Sequence, residues 1–290
     1  MIVKMYLIDA FADGLFSGGK AGVAVLRHLG QEIYLAGLAQ EMNLPVLAYV
    51  LPHNDQFMVR YFTPEKELNS ADYAALAVGH ALYGAGLAPP AKALVLHERG
   101  GRRLIFPAGE RKGGHLGLAL PKVIWKKLEK ELLARILPHL SLEPEEVDGA
   151  FLTSSDQLVI CCRRQEALNK NVSPAGALSV LPQAAGLTVS GPLELPGLAA
   201  YALRSFVRSG ELAELPLDLD LHGLLAPYWA DKEGGRRLEV HHLAARPSLF
   251  WAECRPDGEV RLSGRLNTVF KAEPSLSELT GDTGAQFMSF

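Results

Sequence analysis

Hydrophobic and polar positions divide the chain into many short strands and a few helices. Apolar residues alternate with polar ones, as strands require, over 2–9, 23–26, 47–51, 57–62, 93–98, 102–106, 115–121, 151–155, 157–162 and 199–206, and in three further segments before residue 270. Helical spacing covers 31–42, 125–140 and about 173–186. Hairpin turns are expected at Gly100-Gly101 and Gly113-Gly114. The pattern predicts an α+β protein with mostly antiparallel sheet.

One stretch, 71–86, predicts a helix that is apolar on every side. Such a helix belongs inside a protein, and sixteen residues are too few to cross a bilayer. We expect Asn69 or Ser70 to cap it, with Asp72 in the first turn beside the positive end of the helix dipole. His80, on the same helix, is expected to be a hydrogen-bonded core residue. The sheet should therefore wrap around this helix.

The second half of the chain repeats this order loosely. SFVRSGELAELPLDLDLHGLLAPYW (205–229) resembles YFTPEKELNSADYAALAVGHALY (61–83) and predicts a second central helix at about 220–232. We predict one domain over 1–117 plus about 264–274, and another over 118–263. The polar tail, 275–290, is expected to be poorly ordered. Two helix N-termini would then face a shared cleft, which suits an anionic ligand.

Composition narrows the classes of function. The 290 residues are 48% hydrophobic and 21% charged, and a net charge of -3 without a Lys/Arg-rich block gives no case for nucleic acid. Cys161, Cys162 and Cys254 have neither disulfide nor metal spacing, and no signal peptide or membrane segment is recognised, so a cytoplasmic protein is expected. Ala21 after Gly19-Lys20 breaks the phosphate-loop pattern.

Six segments, in order, resemble the phenazine-biosynthesis isomerase (PhzF-like) family of the diaminopimelate epimerase fold. They are DAFADGLFSGGKAGVAVL (9–26), AQEMNLPVLAYV (39–50), YFTPEKEL (61–68), SFVRSGELAEL (205–215), LHGLLAPYW (221–229) and VRLSGRLNTVF (260–270). The resemblance implies two similar domains, each a sheet curled around a central helix, with the active site between them. It also implies proton transfer on a small organic acid by a glutamate, without metal or organic cofactor.

The residues that would carry this chemistry are replaced. The family's proton-carrying glutamate corresponds to Val46, which cannot act as an acid or base. Its histidine corresponds to Tyr73, whose phenol is a poor base near neutral pH. Its aspartate corresponds to Leu215, and its glycine-serine turn to Leu219 and Asp220. A leucine in place of that glycine would reshape the pocket.

Other side chains are weak candidates for the chemistry. Asp218 and Asp220 alternate with leucines, so in an extended chain both carboxylates would share one face and raise each other's pKa. The alternative is a solvated acidic turn that caps the next helix. His222 keeps its family position, and a catalytic and a structural role stay open. Asp72 either faces the cleft or only stabilises the helix dipole, and Tyr73 either lines the pocket or packs in the core.

Three functions follow. The first is an isomerase or epimerase that uses Asp218, Asp220, His222 or Tyr73 in place of the family's catalytic residues. The second is an inactive relative that binds a small ligand or a partner protein. The third is a structural protein, such as a homodimer, whose cleft is closed by leucines. The joint loss of several chemical positions favours the second over retention of the family's reaction. No metal set is apparent, since His241 and His242 on one strand should point to opposite faces.

Overall fold

The structure, a computed structural model, describes residues 2–28, 31–53, 56–89, 92–108, 115–170, 172–209 and 211–273. The predicted turn at Gly113-Gly114 and the tail 275–290 lie outside these ranges. The described strands are β1 (Ile2–Ala10), β2 (Gly19–Leu26), β3 (Leu47–His53), β4 (Gln56–Phe62), β5 (Glu67–Leu68), β6 (Leu94–Glu98), β7 (Gly101–Pro107), β8 (His115–Leu120), β9 (Trp125–Lys127), β10 (Val147–Thr153), β11 (Gln157–Cys162), β12 (Gly186–Pro192), β13 (Ala200–Ser209), β14 (Glu211–Leu215), β15 (Arg237–His242), β16 (Ser248–Cys254) and β17 (Val260–Ala272). The α-helices are α1 (Glu32–Met42), α2 (Asp72–Gly84), α3 (Lys130–Ile136), α4 (Pro174–Val180) and α5 (His222–Glu233), and short 3₁₀ helices cover Leu137–Leu140, Pro144–Glu146 and Gln165–Asn169.

The first half is a closed barrel around helix α2. Its strands pair in the order β1, β2, β3, β4, β6, β7, β8 and β17, and β17 returns to β1. Eight residues of α2 are buried, and all of them except Gly79 pack in one core cluster with side chains of the strands around them. Gly79 lets the helix lie close to the barrel wall, because a Cβ there would sit 2.8 Å from a methyl of Ile105. The predicted buried central helix is confirmed.

The second half repeats the arrangement as an open sheet. Strands β9, β10, β11, β12, β13, β15, β16 and the start of β17 pair in that order, with β11–β12 and β13–β15 parallel. Helix α5 packs on one face of this sheet, while α3 and α4 cover a separate apolar cluster on the other. The predicted α+β fold with two similar domains is confirmed.

Strand β17 joins the two halves. Val260 pairs with Cys254 of β16 on one side and with Leu120 of β8 on the other, and the end of β17 pairs with β1. Because one strand belongs to both sheets, the start of α2 and the start of α5 meet at the junction. We call this junction the seam, and it comprises Gly19, Asp72, Tyr73 and residues 216–221. The predicted domain boundary between residues 117 and 118 falls inside β8 and stays a prediction.

Three local predictions are wrong. Residues 125–127 form strand β9 rather than the start of a helix, because they pair with β10 and Trp125 packs edge-on against Phe151 at 4.9 Å. The helix predicted over 173–186 ends at Val180, and the buried strand β12 follows. Neither Asn69 nor Ser70 caps α2, whose N-cap is Ala71 without a side-chain hydrogen bond.

Candidate functional site

The seam brings together three parts of the chain that lie far apart in sequence. Helix α2 starts at Asp72, and segment 216–221 leads into α5 from the other half. Gly19 of β2 lies between them: a Cβ on Gly19 would be 3.0 Å from Leu217 and 3.1 Å from the ring of Tyr73. The two halves are therefore in direct contact at this point.

Apolar side chains fill much of the seam. Val46, Leu217 and Leu219 are 4%, 5% and 4% exposed and belong to the core cluster that surrounds α2. Tyr73 packs against the same cluster, and burial raises its pKa to about 12, so the phenol stays protonated. Leu215 is half-buried at the end of β14, opposite Ser205. Of the residues predicted to line a cleft, Val46 and Leu219 thus belong to this apolar cluster and Tyr73 packs against it. Their role in a cleft stays a prediction.

Asp72 is the acid that the fold places at the centre of the seam. Its Oδ1 lies 2.7 Å from Arg103 Nη2, and its side chain is only 9% exposed. Arg103 also approaches Glu98 at 3.7 Å, and Glu98 accepts a hydrogen bond from the Tyr61 hydroxyl at 2.9 Å. Asp72 Oδ2 is buried and has no hydrogen-bond donor among the described residues.

The carboxyl group of Asp220 lies within hydrogen-bonding reach of Asp72, although the two come from different halves of the molecule. Burial raises the pKa of Asp72 to about 7, the negative charges of Asp220 and Glu98 act in the same direction, and Arg103 opposes them. Two ionised carboxylates this close repel each other, which favours the protonated form of Asp72. Asp220 itself is exposed.

Asp218 lies beside this pair and ends a buried chain of hydrogen bonds. Ser205 Oγ donates to Asp218 at 3.0 Å, Thr188 and Ser205 are 2.7 Å apart, and Gln157 Nε2 donates to Thr188 at 3.3 Å. Burial and the charge of Asp220 raise the pKa of Asp218 to about 6, while Ser205 and the Asp220 N–H hold it back. Sequence reasoning missed Ser205, Thr188 and Gln157. The available signal was polar residues at inward positions of otherwise apolar strands.

His222 is the first residue of α5, and its side chain is turned away from solvent. The ring is completely buried, with Nδ1 2.6 Å from the Tyr201 hydroxyl and Nε2 2.9 Å from His242 Nε2. Burial lowers the pKa of His222 to about 3, so the imidazole is neutral at neutral pH. His241 faces the other side of β15 and pairs with Glu239, as the alternation predicts.

Comparison with known proteins identifies the family. The sequence model of the family described as "Phenazine biosynthesis-like protein" matches residues 8–265. This chain belongs to the phenazine biosynthesis-like family. The family predicted from the sequence is therefore confirmed.

Relatives and solved structures support the same fold. An uncharacterised isomerase of Pseudomonas aeruginosa is 26% identical, over 96% of this chain and all of that protein. The crystal structure of a PhzF-family protein from Enterococcus faecalis superposes with a TM-score of 0.81 at 22% identity, over 95% of this chain and 100% of that one. A probable proline racemase from Agrobacterium radiobacter gives 0.58 at 12% identity, over 95% of this chain and 93% of that one. The fold is thus shared with epimerase-like proteins.

Two cavities of the described structure border the seam without reaching its aspartates, and Glu98 lines one of them and Gly223 the other. One of about 530 Å³ lies under α1 between Leu35, Tyr49 and Met58, and one of about 340 Å³ lies beside Lys122 and Gly223. Neither is lined by Val46, Tyr73 or the three aspartates of the seam. In the part of the chain that the structure describes, no group of three or more His, Cys, Asp or Glu residues is arranged to hold a metal. Among the same residues no helix is long and apolar enough to cross a membrane.

Proposed function

We propose that this member of the phenazine biosynthesis-like family is an isomerase or epimerase that moves a carbon-bound proton on a small organic molecule at the seam, with Asp72 and Asp220 as the proton-carrying pair. The observation that carries the proposal is the pair itself, in which a buried carboxyl from one half lies beside an exposed carboxyl from the other. It would replace the glutamate and histidine that the resemblance implies at Val46 and Tyr73.

The ionisation of the pair suits proton transfer. A carboxyl with a pKa of about 7 is present in both forms at neutral pH, so it can take a proton and give it back. In the reaction the ionised form removes a proton from carbon, the bonding electrons stay on the substrate, and the protonated form returns the proton to the other face or to another carbon. Atoms and charge balance without an oxidant or a second substrate. The absence of a cofactor and a small organic acid as substrate stay predictions.

Access to the pair requires movement at the seam. Leu217 and Leu219 are almost fully buried, and Leu217 lies beside Tyr73 against Gly19. A substrate can reach Asp72 only if segment 216–221 separates from the start of α2. Opening of the two halves is therefore part of the proposal.

Deuterium incorporation tests it. The protein is incubated in heavy water with a pool of small carboxylic acids, amines and neutral carbonyl compounds, and mass spectrometry follows carbon-bound deuterium. We expect labelling of at least one compound that Asp72→Asn and Asp220→Asn each abolish. Asp231→Asn, at an exposed acid farther along α5, serves as the matched control and should label normally. Labelling that survives both seam variants would refute the assignment of the pair.

A second function is favoured by a separate observation. Val46 is 4% exposed within the core cluster that also contains Leu217 and Leu219, as in a protein that has lost its reaction. Such a protein would bind a ligand or a partner without turnover. Ligands that bind in calorimetry but never acquire deuterium would support this alternative over the isomerase.

A further inference from the structure

A buried oxygen of the seam, Asp72 Oδ2, accepts no hydrogen bond from the described residues, and this indicates what kind of ligand the seam binds. Asp72 uses Oδ1 for Arg103, while Oδ2 is buried and has no donor among the described residues. The Asp220 carboxyl lies next to it. Two carboxyl groups in this position need either a proton or another cation between them, because an ionised pair is repulsive and water is excluded from the buried oxygen.

Positive groups near the pair already have partners. Arg103 lies between Asp72 and Glu98. Arg246, in the loop after β15, donates to Asp9 at 2.8 Å and to the carbonyl oxygens of Ser17 and Gly18. Among the described residues, Arg103 thus faces Asp72 and Glu98, while Asp218 and Asp220 add two further acids beside Asp72.

The start of α2 is also occupied by an acid of the chain itself. Asp72 is the first residue of the helix, where the dipole favours negative charge. Asp218 and Asp220 come just before α5 in the same way. The anionic ligand expected from two facing helix N-termini would meet three carboxyl groups there, and the charge around the seam favours a cation instead.

We propose that the Asp72–Asp220 pair binds a primary ammonium group, and that the ligand of the seam is an amine without a carboxylate at this position. An ammonium group brings three N–H donors, which matches Asp72 Oδ2, Asp220 and the neighbouring Asp218. This inference rests on the seam being the site of the proposed function, and it names the class of molecule on which that function acts. When the ammonium group displaces the proton of Asp72 to solvent, Asp72 is left ionised, which is the form that can remove a proton from carbon.

Isothermal titration calorimetry with matched probes tests the inference. Benzylamine, butylamine and 1,4-diaminobutane are compared with benzoate, pentanoate, succinate and the corresponding alcohols. We expect the amines alone to bind at pH 8 and their affinity to fall about tenfold at pH 6, because a proton with a pKa near 7 competes for the pair. Titrations at pH 7 in buffers of different ionisation enthalpy should show about half a proton released per amine bound.

Variants separate this binding from a merely structural effect. Asp220→Asn, at an exposed position that folding tolerates, should weaken amine binding at least tenfold and abolish proton release, as should Asp72→Asn. Asp231→Asn should leave both unchanged. Carboxylates that bind better than amines, or amine binding that is indifferent to Asp220→Asn, would overturn the inference, and so would a complete lack of amine binding.

The outcomes also distinguish this inference from the proposed function. Amines that bind at the pair without acquiring deuterium would uphold the ammonium site and refute the isomerase. Deuterium labelling confined to carboxylates, with no amine binding, would uphold the isomerase and refute the ammonium site.

Discussion

Removing the ionisable group of Asp72 should change how the stability of the protein depends on pH. In the folded state the pKa of Asp72 is raised from an ordinary 3.8 to about 7, chiefly by burial, so the folded protein holds this proton more tightly than the unfolded chain does. Stability that depends on the proton is fully present below about pH 4 and is lost as pH rises toward 7, because the unfolded chain releases the proton first. In the variant Asp72→Asn the side chain cannot ionise, so this loss of stability with rising pH is absent.

The size of the effect follows from the shift. Each tenfold change in proton affinity corresponds to about 1.4 kcal/mol, so the difference between 3.8 and about 7 amounts to about 4 kcal/mol. The Arg103 ion pair forms only when Asp72 is ionised, and its effect is already contained in the pKa of about 7. Replacing the protonated carboxyl by an amide adds an offset that does not vary with pH, since neither group is charged. The difference in the free energy of unfolding between wild type and Asp72→Asn therefore changes with pH only through the ionisation of Asp72.

Urea unfolding at pH 4, 6 and 8 provides the measurement, with the fluorescence of buried Trp229 as one reporter. The free energy of unfolding of wild type minus that of Asp72→Asn should fall by about 4 kcal/mol between pH 4 and pH 8. Asp231→Asn should give a curve parallel to wild type. A difference between wild type and Asp72→Asn that stays constant with pH would show that the carboxyl is not protonated in the folded state, and the account of the seam would fail.

Further predictions concern the core, a turn and the buried hydrogen-bond chain. Val46→Glu should not restore turnover of a phenazine precursor and should lower the free energy of unfolding by at least about 2 kcal/mol, since it buries a carboxyl at a 4% exposed core position; measurable turnover by this variant would contradict us. Gly18→Ala should destabilise by about 2 kcal/mol or more in urea unfolding, because φ is +77° and the new Cβ would lie 2.2 Å from a carbonyl oxygen of β1, whereas Gly14→Ala, with open space, should cost well under half of that. Ser205→Ala should raise the pKa of Asp218 above its present value of about 6 in an NMR titration of the carboxyl carbon, because the Ser205 hydrogen bond holds that pKa down; an unchanged pKa would show that the hydrogen bond is not made.

The sequence identified several residues of the seam without showing how they meet. Asp72 and Asp220 were both named as candidates, but they lie in different halves, and only the fold brings their carboxyl groups together. Arg103 and Glu98 carry no local signal, because each lies on an ordinary hairpin strand. The expectation of an anionic ligand came from counting helix N-termini. That expectation stays a prediction, and the positions of the aspartates relative to each other, which depend on the seam, were not available to it.

Local periodicity was enough to determine the buried helix α2, the second central helix and most of the strands, because burial on one face or on all faces leaves a repeating pattern in the residues themselves. Tertiary structure alone decided that 125–127 pairs as a strand, that the first sheet closes through β17, and that burial raises the pKa of Asp72. Strand pairing and the burial of charge depend on groups that are distant along the chain, and a sequence read in order does not contain those distances.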